Sequence, residues 1–185
     1  ILRGSECAAV IDTCGGTDNF YNIVCSVTPL PLIVINTHGH GDHIGGNMYF
    51  SEAYINQRDK EMYCGYFNDP EVEAEIKAKG LAPCKALDIE DGDVFDLGGG
   101  VILEVIAVPG HTAGSICLLD REDRILFTGD SVNDMLWMQL DESLPISTLI
   151  TSLSVLESRR DAFDYLLTGH WQWRTQGLTD ADMLG

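Results

Sequence analysis

With 185 residues, 45% of them hydrophobic, the chain can bury one substantial core and is expected to form a single domain over residues 1–185. Its 29 acidic residues against 11 basic ones give a formal net charge of -18, which opposes nucleic-acid binding over most of the surface. The longest apolar run is far short of a membrane span and no leader-like segment precedes the first expected strand, so no membrane partner and a cytoplasmic location are expected.

Cys7-Ala8-Ala9-Val10-Ile11-Asp12 is a compact apolar run closed by Thr13-Cys14-Gly15-Gly16, which predicts a strand ending in a turn near Asp12. Asp18 is placed to cap a helix whose apolar face is Phe20, Tyr21, Ile23, Val24 and Val27, and Pro29 and Pro31 end it. The β-branched run Leu32-Ile33-Val34-Ile35-Asn36 then reads as a buried strand. Strand, helix and strand in succession predict a βαβ unit, a sheet covered by helices.

Thr37-His38-Gly39-His40-Gly41-Asp42-His43-Ile44-Gly45-Gly46 follows directly. A lone histidine here would read as a solvated loop residue, but three imidazoles and a carboxylate within six positions make little sense as packing. Alternation at period two would point His38 and His40 to the same side, and the glycines let the backbone turn so that Asp42 and His43 face the same cavity. Neutral imidazole together with carboxylate suits zinc or another borderline divalent metal.

Residues 43–49 are expected to form a short helix and Ala53-Tyr54-Ile55-Asn56 a short strand. From Arg58 to Lys79 the chain is charged and helical, broken by Gly65 and Pro70, with Glu73 and Lys77 on a solvated face. Tyr63, Tyr66 and Phe67 read as helix-packing aromatics, with a roof over a substrate pocket as the alternative. From Lys85 the character turns to β, with Leu87–Ile89, Val94–Asp96 and Val101–Val108 as strands, and Gly92 and Gly98–Gly100 marking hairpin turns.

Pro109-Gly110-His111-Thr112 places a histidine at a strand end, and residues 114–119 and 124–127 predict a hairpin around Arg121-Glu122-Asp123. Phe127-Thr128-Gly129-Asp130 puts a carboxylate at the next strand end. Pro145–Arg160 reads as a helix with Ile146, Leu149, Ile150, Leu153 and Leu156 on its core side, and Tyr165–His170 as a strand ending in the fifth histidine. Polar residues at strand ends are where a rigid scaffold usually carries chemistry. The six cysteines lack a CxxC pair and read as reduced core residues.

The ordered set His38, His40, Asp42, His43, His111, Asp130 and His170 closely resembles the signature of the metallo-β-lactamase superfamily, over most of the chain. The resemblance implies an α/β (α+β) fold, a four-layer αββα sandwich with two mixed β-sheets and a metal site at one edge. It further implies that His38, His40 and His111 hold one metal and Asp42, His43 and His170 a second, with Asp130 bridging. The cofactors would be two divalent metal ions, zinc first, with iron or manganese able to substitute. The family's first strand usually precedes the position of Ile1 and a closing helix often follows the last histidine, so both ends are expected to be incomplete.

The implied activity is that of a binuclear metal-dependent hydrolase, in which a metal-bound hydroxide attacks a small-molecule ester, thioester or lactone. Asp130 would set the place of the nucleophile and Asp42 would help protonate the leaving group. A mononuclear iron sulfur dioxygenase and a phosphodiesterase of the same fold are the alternatives. Ser115 and Ser131 lie near the ligands, but the histidines that would activate them are already used as ligands.

Departures from the family narrow the function. Enzymes that open β-lactams commonly carry Cys, or lack the bridging Asp, where this chain has Asp130, and flavodiiron proteins usually have Glu where it has His40. Both activities are therefore disfavoured. Glyoxalase II carries a further helical domain for glutathione, whereas this chain ends at Gly185, so that substrate is not expected. His111-Thr112-Ala113-Gly114 replaces the frequent His-Thr-Pro-Gly, and Trp171 follows the last histidine where Gly is frequent. Trp171, Trp173, Trp137 and Met138 together would make an apolar pocket wall, with ordinary packing as the alternative.

Overall fold

The computed structural model describes residues 1–133, 135–170 and the backbone of 179–180. The first sheet runs in the order β1 (Leu2–Arg3), β2 (Ala8–Ile11), β3 (Leu32–Ile35), β4 (Glu52–Asn56), β5 (Lys85–Ile89). Its first pair is antiparallel and the rest are parallel. The second sheet comprises β6 (Val94–Asp96), β7 (Ile102–Ala107), β8 (Ile116–Asp120), β9 (Ile125–Gly129), β10 (Tyr165–Thr168) and β11 (Thr179–Asp180), adjacent in chain order. Among the described residues only β9 and β10 pair in parallel there. The helices are α1 (Phe20–Val27), α2 (Gly41–Ile44), α3 (Lys60–Phe67), α4 (Pro70–Ala78) and α5 (Ile146–Ser158).

Strand side chains alternate between faces, and this alternation builds the layers. Ala9, Ile35 and Ile89 of the first sheet meet Leu103, Val105, Ile116, Leu118 and Phe127 of the second in one buried cluster between the sheets. Their neighbours in the same strands face outward. Val10, Val34 and Ala53 pack with Val24 of α1, while Ile55 packs with Tyr63 and Phe67 of α3 and Ile76 of α4. On the far side Cys117, Leu119, Leu126 and Leu166 pack with Leu156 of α5. The result is the expected αββα sandwich. Burying each large side chain contributes roughly 1.5–3 kcal/mol, whereas an exposed ion pair is worth about 0–1 kcal/mol, so these clusters hold the frame.

Several local expectations change. Gly92 (φ 84) turns the chain from β5 in one sheet to β6 in the other and so marks a crossing between sheets, whereas Gly98–Gly100 do close the β6–β7 hairpin. A glycine signals a turn but not which sheet receives the next strand. Gly65 lies inside α3, where its backbone freedom costs about 0.5–1 kcal/mol without ending the helix. Pro70 instead opens α4, where no N–H is needed, behind Asp69, which accepts from the Glu71 amide.

Asp18 pairs with Lys79 and leaves the start of α1 to Asn19, whose side chain makes no capping bond. On α1 Val24 is buried, while Tyr21, Ile23 and Val27 are exposed. Tyr63, Tyr66 and Phe67 pack against the helices rather than roofing a pocket. All six cysteines are free, but only Cys84 and Cys117 are buried, and Cys14, Cys25 and Cys64 are exposed. Among the described residues no helix is long and apolar enough to cross a membrane.

Candidate metal centre

β3 stops at Ile35, so His38 and His40 lie beyond the strand and period two does not orient them. Their rings converge through the loop that follows: His38 Nε2 is 2.9 Å from His40 Nδ1, which is 3.0 Å from His111 Nε2. His43 is delivered by α2, His111 by the loop after β7, Asp130 by the residue after β9 and His170 by the loop after β10. The sandwich thus brings one edge of both sheets to a common point.

All seven residues singled out in the sequence meet there. Asp130 stands in the middle, with Oδ2 3.6 Å from His111 Nε2 and 3.2 Å from His170 Nε2, and Oδ1 3.6 Å from His43 Nε2. Asp42 Oδ2 is 3.3 Å from His170 Nε2 and 3.7 Å from His43 Nε2. Donor atoms of three sets, His38/His40/His111, His38/His43/Asp130 and Asp42/His43/His170, lie within 4.8 Å of one another. The close approach depends on Gly169, since a Cβ there would fall 2.4 Å from Asp130 Oδ1 and 2.8 Å from His43 Cε1.

The outward nitrogens show what the inward ones offer. His111 Nδ1 donates to the Trp137 carbonyl at 2.7 Å, His43 Nδ1 to Asp12 Oδ2 at 2.8 Å and His40 Nε2 to Glu142 Oε1 at 2.6 Å. Carbonyls and carboxylates only accept, so in the neutral rings these outward nitrogens carry the hydrogen and the inward ones present bare lone pairs. The bare lone pairs of His40 Nδ1 and His111 Nε2, 3.0 Å apart, repel one another. Asp130 Oδ1 is also buried without a hydrogen-bond partner. A cation relieves both defects, and the donor set fits divalent ions of the zinc type.

Electrostatics divide the histidines. Burial pushes His38 well below its ordinary value, helped by the four surrounding imidazoles. His111 is also lowered, by burial that outweighs the Trp137 carbonyl. Burial would lower His43 as well, but the Asp12 hydrogen bond and the charges of Asp12, Asp130 and Asp42 outweigh it and raise the ring to about 9. Without a metal the centre therefore keeps a proton at His43 at neutral pH.

Residues 1–174 match the family model of the metallo-beta-lactamase superfamily. The chain belongs to that superfamily. This superfamily member is 31% identical over 163 residues to the acyl-coenzyme A thioesterase MBLAC2 of Homo sapiens, a match covering 72% of the chain and 57% of that protein. It is 35% identical over 100 residues to the hydroxyacylglutathione hydrolase of Nitrosococcus oceani, covering 54% of the chain and 33% of that protein. The chain thus spans little more than half the length of the first of these curated relatives. A di-iron-bound form of TTHA1623 superposes with a TM-score of 0.70 at 23% identity, over 95% of this chain and 85% of that one. This likeness bears on the fold alone.

Three carboxylates in this metallo-β-lactamase fold escaped the sequence reading. Asp12 follows β2, the parallel neighbour of β3, so its place beside the motif was implicit in the βαβ pattern. Buried Asp59 accepts from the Gly39 and Gly114 amides and the Thr112 hydroxyl, tying the His40 loop to the His111 loop. Glu142 lies in the long segment after β9. No local pattern distinguishes either from a surface acid.

A cavity of about 340 Å³ opens onto His40, His111, Asp130 and His170. Met135, Trp137 and Leu140 supply its apolar side. Trp137 thus serves the expected wall, Met138 is not among the lining residues, and Trp171 and Trp173 lie outside the described residues. The described lining residues include no Lys or Arg.

Proposed function

We propose that this domain is a binuclear metal-dependent hydrolase of small esters, thioesters or lactones. The observation that carries the reading is the place of Asp130, between two sets of inward donors and with its buried Oδ1 unpartnered. His38, His40 and His111 would hold one ion and Asp42, His43 and His170 the other, with Asp130 reaching both. Zinc suits nitrogen and carboxylate donors best, and iron or manganese would also be accepted. When bound, such ions supply Lewis acidity, lowering the pKa of water toward neutrality and polarising a carbonyl.

The chain's own residues do the rest. The side chain of Asp42 is 58% exposed and lines the cavity, so it can take up the proton that the attacking water loses and pass it to the leaving thiolate or alkoxide. Trp137 and Leu140 receive the apolar acyl portion, and burying them against substrate excludes water from one side of the carbonyl. A thioester is supported by the relationship to the MBLAC2 thioesterases. The charge of -18 and the absence of cationic side chains among the described lining residues argue against a polynucleotide. The free exposed thiols fit a cytoplasmic setting.

Metal analysis of chain purified without chelator, followed by a screen against thioesters, lactones, phosphodiesters and persulfides, tests the reading, with Asp130→Ala as control. Two ions per chain and acyl hydrolysis lost in the variant are expected. A chain that takes up no ion, activity confined to phosphodiesters, or oxygen consumption with a persulfide would overturn it.

A further inference from the structure

The segment after β9 reaches back over the centre and is fastened to it at several points. The Leu144 amide donates to the Gly110 carbonyl at 2.8 Å and the Ser143 hydroxyl to the His111 carbonyl at 3.0 Å. Two further contacts go to the imidazoles themselves. The Trp137 carbonyl accepts from His111 Nδ1 at 2.7 Å and Glu142 Oε1 accepts from His40 Nε2 at 2.6 Å. One stretch of chain therefore holds the outward nitrogens of two of the three rings in the His38/His40/His111 set. The same stretch supplies Trp137 and Leu140 to the cavity wall.

His40 is the member of that set which depends most on such a partner. His111 is 2% exposed and His38 1%, so packing restrains both, whereas the His40 side chain is 16% exposed. His40 also faces the set through Nδ1, the nitrogen beside its Cβ, while His38 and His111 use Nε2. A ring flip of about 180° at χ2, or transfer of its hydrogen to Nδ1, would remove the lone pair from the set. An acceptor fixed at Nε2 blocks both changes.

We propose that Glu142 is a positioning residue that locks His40 with its Nδ1 lone pair facing the centre, and that through it the pocket-lining segment sets the cation affinity of the His38/His40/His111 set. This rests on the reading of those three residues as metal ligands. The contact is local to one set, because the other set has its own carboxylate, Asp12, on His43. Loss of Glu142 then weakens one ion and spares the other. Partners that orient a ligating imidazole typically account for roughly 10–100-fold in metal affinity.

The test titrates metal-free chain with Co²⁺ and with Zn²⁺ against a competing chelator, reading two affinities and the visible absorption of the cobalt form. Variants are Glu142→Ala, Glu142→Gln and Asp141→Ala. The last removes a neighbouring exposed charge without touching His40 and reports any purely long-range effect.

Glu142→Ala should weaken one of the two ions by roughly 10–100-fold and alter the cobalt spectrum, with the other ion held as in the native chain. Glu142→Gln, whose carbonyl can still accept from Nε2, should recover most of the loss. Native-like binding of both ions by Glu142→Ala would overturn the proposal while leaving the metal reading intact. Equal losses in Asp141→Ala, or no recovery in Glu142→Gln, would also overturn it, in favour of a general charge effect. A native chain that binds no ion overturns the metal reading, and this inference with it.

Discussion

Asp12 Oδ2 lies 2.8 Å from His43 Nδ1 and accepts from the Thr37 hydroxyl at 2.8 Å, while Oδ1 accepts from the Thr37 amide at 2.7 Å. One carboxylate thus orients the His43 ring and pins the start of the loop carrying His38 and His40. Asp12→Ala is expected to weaken divalent-ion binding by roughly 10–100-fold. The Thr37 amide, left without its acceptor, should lower stability by about 1–3 kcal/mol. Calorimetric ion titration and urea unfolding of the metal-free chain check the two effects separately, and an unchanged ion affinity would exclude the orienting role.

Asp59 ties two loops together with three accepted hydrogen bonds and is 1% exposed. In Asp59→Ala those donors lose their partner, and a loss of at least about 2 kcal/mol is expected. Asp88→Ala, which breaks an exposed contact with Lys60, should stay within about 1 kcal/mol of the native chain. Urea unfolding of both variants decides whether Asp59 has the structural weight its position implies.

Protons and metal compete at His43. In the metal-free chain its ring is raised to about 9 from an ordinary 6.5, so its contribution to stability is fully present below pH 6.5 and lost as pH rises toward 9. His38 is lowered, so its contribution is present above pH 6.5 and is lost as pH falls below it. Together they favour maximal metal-free stability near pH 6.5. An ion needs the deprotonated His43 ring, so the gain in melting temperature on adding zinc should grow from pH 6.5 to 9, with protons released on binding. Melting curves with chelator and with zinc across that range, and calorimetry in two buffers, test this. A gain that shrinks with pH would contradict it.

Trp137 holds His111 through its backbone carbonyl and presents its side chain to the cavity. Trp137→Ala should therefore preserve ion stoichiometry while removing apolar surface from the pocket. For a series of acyl substrates of rising chain length, KM should increase several-fold for the longest and little for the shortest. Equal effects across the series would show that the indole does not contact the acyl chain.

The donors of the centre were legible in the sequence because their signals are local. Short apolar runs lead into His38, Asp130 and His170, and glycines beside them permit sharp turns whatever the rest of the chain does. Apolar runs bounded by turn residues likewise marked the strands, and the ordered histidines and aspartates pointed to the superfamily. The crossing at Gly92 was not legible, since a turn residue carries no information about the sheet to which its next strand is added.

What only the tertiary structure decided is which groups face the outward nitrogens and which acids are buried. Glu142 meets His40 across 102 positions, and Asp59 meets Thr112 and Gly114 across 53 and 55. Such pairs arise when the two sheets close on their shared core and bring distant loops to one edge. The alternation that drives that closure is written in the strands, but the loop contacts it creates depend on the positions of both sheets at once. Local sequence therefore supplied the inward lone pairs, and packing supplied the acceptors that aim them.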